Sequence, residues 1–413
     1  MPTALEAKVA DQAQQQVAQA ASSRWVHQAF NWFQSHEREI SDLQLEIARI
    51  PAPPFAEHRR AEWLCDRFLE LGLEDVRTDS IGNVLGVQPG SDAHANFVAV
   101  SAHIDTVFPP GTSTANVRRE NDRLLGPSIS DNAAGVAALL AIASAMQASG
   151  LRTSAPVLFI GNVGEEGEGD LRGMRHIFED AALRQQIGAI LVLDGAGTDT
   201  VVTQALGSRR FEVTVRGPGG HSWSDFGVIN PIVVLASAIH RFRATPLPSS
   251  PKTTFNVGVI SGGTSVNSIP ETATMRVDIR STVMEQMDRL EQALRGAVST
   301  AVNEANRIVA SAGHASAEIK TIGSRPAAEL PPQSRLFAII RAVDAHLRNA
   351  SRIHRASTDA NIPLSLGCEA IALGTGGTGG GAHTLQEWYD PKGRELGLKR
   401  ILLALMAAAG VAA

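Results

Sequence analysis

Val157-Leu158-Phe159-Ile160-Gly161-Asn162-Val163-Gly164-Glu165-Glu166 decides the reading of this chain: four apolar side chains in succession, then two adjacent carboxylates. A run that is apolar on both faces of an extended strand fits the interior of a parallel sheet covered by helices. Like charges in contact ionise together only if a cation lies between or beside them. A metal would leave one glutamate as ligand and the other as base. The pattern recurs where Phe97 to Val100 leads into Ser-Ala-His103-Ile-Asp105, and where Ile190 to Leu193 ends in Asp194. In α/β sheets, ligands gather beyond the carboxyl ends of such strands.

Outward from this centre, the pattern from Leu5 to about Arg49 is helical, its first twenty residues Ala/Gln-rich and expected to be frayed. Pro51-Ala-Pro-Pro54 stops that segment, because proline lacks a donor and forces its predecessor out of the helical region. Ala61, Leu64, Phe68 and Leu71 mark the next helix, and strands are expected around Gly82-Asn83. Asp131-Asn-Ala-Ala-Gly135 opens a long apolar helix ending near Gly150, with Asp131 at or next to its N-cap. At about Gly207 the texture changes. Phe211, Val213 and Val215 alternate with Glu212, Thr214 and Arg216, as in a sheet wet on one face.

A helix from Asn230 to Arg243, strands near Thr253–Ile260 and Thr272–Ile279, a helix from Val283 to Ala310 and a strand at Ala315–Ile322 complete the order βαββαβ, the ferredoxin-like split unit. Past Ser324-Arg325-Pro326, a helix near Leu336–Leu347, a strand at Ala370–Leu373 and a closing helix at Gly393–Ala409 restore the first texture. The expected fold class is α/β, with a mixed, largely parallel sheet flanked by helices. That domain is split into 1–207 and 325–413 around an inserted ferredoxin-like α+β domain at 208–324.

A chain of 413 residues is too long for one ordinary core. Its net charge of -5, without a long run of like charges, argues against a nucleic-acid partner. No stretch approaches roughly eighteen apolar residues, and Met1 to Ser23 is polar, so neither a membrane span nor a secretory signal is read and the expected compartment is the cytoplasm. Cys65 and Cys368 form no metal-binding or redox motif and read as buried small hydrophobes. The run Gly374-Thr-Gly-Gly-Thr-Gly-Gly-Gly381 lacks the lysine of a P-loop and reads as a flexible substrate loop.

In His103-Ile-Asp105 a spacing of two puts both side chains on one strand face, so that Asp105 can hold the imidazole tautomer and leave the other nitrogen for a metal. Asp131 reads either as a helix cap or as a carboxylate bridging two cations about 3.5 to 4 Å apart. Glu165, Glu166 and Asp194 form either a solvated acidic rim or part of the same site. His221 follows Gly217-Pro-Gly-Gly220, and His383 follows the second glycine run.

The order of these motifs resembles the M20 family of metallopeptidases, from about Ile50 to the end of the chain. The resemblance rests on Ser-Ala-His103-Ile-Asp105, Ser-Asp131-Asn-Ala-Ala-Gly, Gly164-Glu165-Glu166-Gly, Leu193-Asp194-Gly, Gly219-Gly-His221-Ser, Asn267-Ser-Ile-Pro270, Asp278-Ile-Arg280 and Gly381-Ala-His383-Thr. It implies a zinc-peptidase catalytic domain with an inserted lid and dimerisation domain. His103, Asp131 and Asp194 would then hold one zinc, and Asp131, Glu166 and His383 the other. Glu165 would move the proton from water to the leaving amine. His221 would reach a neighbouring subunit's site in a homodimer, and Arg280 and Asn267 would contact substrate. Cobalt and manganese also suit such mixed carboxylate and imidazole sites.

Aspartate at position 194, Ile50-Pro-Ala-Pro-Pro54-Phe and Ser357-Thr-Asp-Ala-Asn361 look like the peptidase T-like branch. The resemblance therefore implies an aminopeptidase acting on di- or tripeptides. The alternative is a deacylase of N-acyl amino acids, with the same metals and base. A non-catalytic binding relative would have lost some of these residues, and all are retained.

Overall fold

The computed structural model describes residues 3–308 and 313–412, which divide into two compact units: Met1–Ala205 with Glu329–Ala413, and Leu206–Ala328. The second unit begins before 208 and ends after 324 because its strands Gly207–Arg216 and Ser316–Arg325 pair along their lengths, with Ser208 opposite Arg325.

The first unit is built on a nine-stranded sheet. At its centre, Val157–Asn162, Phe97–His103, Ile187–Leu193 and Glu369–Leu373 run parallel in that order. Glu74–Thr78 and Val84–Gln88 extend it on one side as antiparallel strands. Every residue of Val157–Asn162 is buried, which is why the run carries no alternation. Each fully buried Val, Leu, Ile or Phe contributes roughly 1.5–3 kcal/mol over its exposed state. The helix Ala133–Ser149 is likewise apolar on nearly all sides, so Leu139→Ala in its interior would cost about 2–5 kcal/mol. Register places His103 beside Asn162, aligning the strand ends from which the acidic segments emerge.

Three expectations for this unit are corrected. Within the segment expected to be frayed, Ala4–Ser22 is a regular helix, capped by Thr3 and packed against the helices Arg335–Leu347 and Arg394–Ala409, with Ala13, Val17, Ala20 and Ala21 buried. Alanine permits close helix approach while giving little hydrophobic contrast to read. The glycine run is not a free loop: Thr378–Gly380 is a strand paired with Trp388–Asp390, in a small sheet with Arg118–Glu120 and Arg123–Leu125. A Cβ at Gly379 would stand 2.5 Å from Ser130 Oγ, and one at Gly377 2.5 Å from the Tyr389 hydroxyl, so close packing requires glycine at both. Cys65 and Cys368 are free and only partly buried.

The second unit has the βαββαβ order, with Thr253–Gly262, Thr272–Ser281, Gly207–Arg216 and Ser316–Arg325 side by side and antiparallel. Phe211, Val213, Val215, Met275 and Val277 meet Leu235 and Phe242 of the helix Pro231–Arg243, and Leu290 and Leu294 of the helix Met284–Ile308. The expected helix end at Ala310 lies outside the described residues. No helix among the described residues is long and apolar enough to cross a membrane.

Candidate metal centre

His103 is the last residue of its strand and is 1% exposed. Its Nε2 stands 3.1 Å from Asp131 Oδ1 and 3.9 Å from Asp194 Oδ1, while its Nδ1 faces Asp105 Oδ1 at 3.5 Å. Asp105 lies beyond the strand end, not on its face. Its carboxylate accepts the backbone N–H groups of Glu165 at 2.9 Å and Glu166 at 2.8 Å. One buried carboxylate thus orients the histidine and shapes the turn that follows the neighbouring strand.

Asp131 does not cap the helix that follows it. Asn132 does, accepting from the Gly135 N–H at 3.0 Å and donating to the Leu193 carbonyl at 2.9 Å, which ties this segment to the strand carrying Asp194. With the cap supplied, both oxygens of Asp131 turn to the site. Oδ1 faces His103, and Oδ2 stands 3.1 Å from His383 Nε2, which in turn lies 3.0 Å from Glu166 Oε1. His383 holds φ at 65°, in the left-handed region. A non-glycine residue persists there only where surrounding structure over-determines it.

Among the described residues, two groups can hold a metal ion: His103, Asp131 and Asp194, and Asp131, Glu166 and His383. Within each group the ligand atoms all lie within 4.8 Å of one another, and Asp131 belongs to both. Glu165 is in neither group and is 6% exposed at the turn between Asp105 and Glu166.

Electrostatics support the fit. Burial, reinforced by the charge of Asp131, pushes Asp194 up to about 7. Hydrogen bonds with Asp131 and Glu166 push His383 up to about 10. Burial opposes charging of His103, but Asp105 and Asp131 outweigh it and raise its pKa well above the ordinary value. The Asp131 carboxyl is held low by His103 and His383 in spite of its own burial. Without cations the cluster balances its carboxylates with protons, and those are the protons that divalent ions displace. Imidazole and carboxylate donors suit zinc, cobalt or manganese.

Sequence reasoning missed Glu387. It is fully buried, and its oxygens accept the backbone N–H groups of Ser128 at 2.9 Å and of Ser130 and Asp131 at 2.7 Å. Burial raises its pKa to about 7, against the lowering effect of those donors. Its position four residues after His383 is the one local signal that could have marked it. Asp359, in the segment resembling the peptidase T-like branch, accepts from Asn162 Nδ2 at 2.7 Å.

The second unit carries the other expected residues. His221 belongs to a short pairing, Gly220–His221 with Ser268–Ile269, that the periodicity did not reveal. Its Nδ1 accepts from the Trp223 and Ser224 N–H groups at 3.2 and 3.4 Å, which leaves the neutral ring's proton on Nε2. The Asn267 carbonyl accepts the Ser222 N–H at 3.0 Å, linking that residue to the His221 turn. Arg280 lies instead on the four-stranded sheet of this unit, opposite Ser208 and Thr254, with Nε donating to Asp278 Oδ2 at 2.7 Å.

The model of peptidase family M20/M25/M40 matches residues 99–407. The chain belongs to this family. Among curated proteins, a probable carboxypeptidase of Uncinocarpus reesii is 29% identical over 297 residues, 63% of this chain and 66% of that protein. One from Aspergillus terreus is 31% identical over 232 residues, 52% of each. The chain thus spans between about half and two thirds of the length of these relatives. Aminopeptidase PepT from Bacillus cereus shares the fold at TM-score 0.72 and 19% identity, covering 90% of this chain and 99% of that one. The dipeptidase Dug1p from Saccharomyces cerevisiae does so at TM-score 0.74 and 14% identity, covering 93% and 98%. A dinuclear metal-binding M20 peptidase from Bacillus subtilis does so at TM-score 0.65 and 14% identity, covering 92% and 100%.

Proposed function

We propose that this M20 protein is a dinuclear metallo-aminopeptidase acting on di- or tripeptides. The observation that carries the reading is Asp131, whose two oxygens face two histidines, each accompanied by one further carboxylate. His103, Asp131 and Asp194 would hold one cation and Asp131, Glu166 and His383 the other, zinc being the first candidate and cobalt or manganese the alternatives. When bound, such ions polarise the scissile carbonyl and make water more acidic. Glu165 then takes the proton of the attacking water and hands it to the leaving amine. Asp105 holds the turn of Glu165 and the ring of His103.

The aminopeptidase choice draws support from a cleft of about 390 Å³ within the first unit, lined by Asp131, Asp194, Asp199 and the glycine backbone at 379–381. No lining residue is cationic. Asp131 and Asp194 would be engaged by the cations, whereas Asp199 lies outside both ligand groups and would attract the ammonium of a free amino terminus. A guanidinium such as Arg280 suits a carboxylate of a short peptide, and Arg280 and Asn267 are both proposed as substrate contacts.

A second copy of the chain is the expected partner. Thr253–Gly262 is an edge strand whose Val259 and Ile260 are exposed, and unpaired edges of this kind associate readily. Through such a dimer, His221 would steady the developing oxyanion of the partner's substrate.

The test compares a free tripeptide with its N-acetylated and C-amidated forms, each with zinc and with chelator. Release of the amino-terminal residue from the free and amidated forms alone is expected. Preference for the acetylated form moves the protein to the deacylases of N-acyl amino acids, and release of the carboxyl-terminal residue moves it to the carboxypeptidases.

A further inference from the structure

The family match begins at residue 99, so the helix Glu37–Arg49 lies outside it. That helix nevertheless turns polar side chains inward: Gln44 is 0% exposed and Ser41 1%. Burying an amide without partners costs roughly 1–3 kcal/mol, and both ends of Gln44 are engaged. Its Nε2 donates to the carbonyl of Ile129 at 2.6 Å, two residues before Asp131. Its Oε1 accepts from Nη2 of the buried Arg394. Arg394 Nε donates onward to the Tyr389 hydroxyl at 3.2 Å, and that hydroxyl donates to the Gly376 carbonyl at 2.9 Å. Gly376 lies in the glycine run that leads to His383. One buried hydrogen-bonded chain therefore joins the segment presenting Asp131 to the segment presenting His383.

We propose that Gln44 is a positioning residue for the metal centre: it fixes the separation of Asp131 and His383 through Ile129 on one side and through Arg394, Tyr389 and Gly376 on the other. The inference rests on the dinuclear reading above. The Asp131 segment is gripped from two directions, its N–H groups by Glu387 and its Ile129 carbonyl by Gln44. Releasing the second grip leaves the Ile129 carbonyl without its side-chain donor, while Glu387 and Asn132 still hold the rest of the segment. Partners that orient metal ligands typically change metal affinity by about 10–100-fold when removed.

The experiment titrates metal-free protein with Co2+ and follows its visible absorption. Gln44→Glu keeps the acceptor for Arg394 and loses the donor to Ile129. Leu45→Ala, at a buried apolar neighbour on the same helix, lowers stability without removing a link of the chain. Expected are one Co2+ equivalent bound about 10–100-fold more weakly by Gln44→Glu, turnover recovered by excess Co2+, and wild-type isotherms for Leu45→Ala despite a lower Tm. Tyr389→Phe keeps the ring and removes only the hydroxyl, and it decides the matter if Gln44→Glu does not fold. Its expected result is a smaller weakening of the same equivalent. Wild-type isotherms in both variants, or equal weakening in Leu45→Ala, overturn the proposal. If Asp131→Asn leaves the wild-type isotherm unchanged, the dinuclear reading itself fails, which is a separate outcome.

Discussion

His383 Nε2 stands 3.1 Å from Asp131 Oδ2, although 252 positions of chain separate the two residues. Because the other oxygen of the same carboxylate faces His103, Asp131 is the residue whose loss should dismantle both ligand groups. Asp131→Asn keeps the volume and removes the charge. Elemental analysis of the purified variant is expected to find less than one metal ion per chain, with turnover reduced about a thousandfold or more. Two retained ions would refute the bridge.

Glu165 stands outside both ligand groups, so its replacement should separate chemistry from metal binding. Glu165→Gln is expected to keep wild-type metal content while lowering kcat by about 10²- to 10⁴-fold, the usual worth of a positioned acid–base group. The informative comparison is kcat against metal stoichiometry in the same preparation. Undiminished turnover rejects Glu165 as the base.

The parallel centre of the sheet was legible because strands covered on both faces need uninterrupted apolar runs, and the acids that end those runs marked the site. Ala4–Ser22 misled because an alanine face buries well yet gives weak hydrophobic contrast. Thr378–Gly380 carries almost no side chains, so its pairing left no period-two signal. Glu387 and Gln44 were hidden for a different reason. Each bonds to backbone groups far away in sequence, 256 positions between Glu387 and Asp131 and 85 between Gln44 and Ile129, and such partnerships produce no local pattern. Asn132, by contrast, stood where helix-capping chemistry points, one residue beyond the aspartate.

Asp105 accepts two backbone N–H groups with no exposure to water, so an amide in its place sets an N–H2 group against at least one of those donors. Asp105→Asn is expected to lose about 1–3 kcal/mol of stability and about 10- to 100-fold in metal affinity. Denaturant unfolding and Co2+ titration read the two effects separately. A fully stable variant with unchanged affinity would show that the turn at Glu165 is held without it.

The pH response of the metal-free protein follows from Asp194 and Glu387, both raised to about 7, and His383, raised to about 10. In each case the folded state binds protons more tightly than the unfolded one, so the contribution to stability is present in full below the unfolded pKa. It is lost as pH rises through the folded value. For the two acids that loss runs from about 4 to 7, and for the histidine from about 6.5 to 10. The Tm of metal-free protein is therefore expected to fall between pH 5.5 and pH 9. Zinc competes with protons for Asp194 and His383, so the rise in Tm on adding zinc should grow over that window. A metal-free Tm that climbs across it contradicts the assignment.

His221 tests the homodimer directly. If its imidazole acts on the partner's substrate, His221→Ala and Glu165→Ala are each impaired alone, but a mixed dimer contains one whole site: the Glu165 of the first variant served by the His221 of the second. Half of randomly exchanged dimers are mixed and each has one such site of two, so recovery to about one quarter of wild-type turnover is expected in a symmetric assembly. Native mass spectrometry of isotopically labelled subunits verifies the exchange. Verified exchange without recovery assigns His221 either to its own chain's site or to none, and the exposed edge strand Thr253–Gly262 would then have to be explained without catalysis across the dimer.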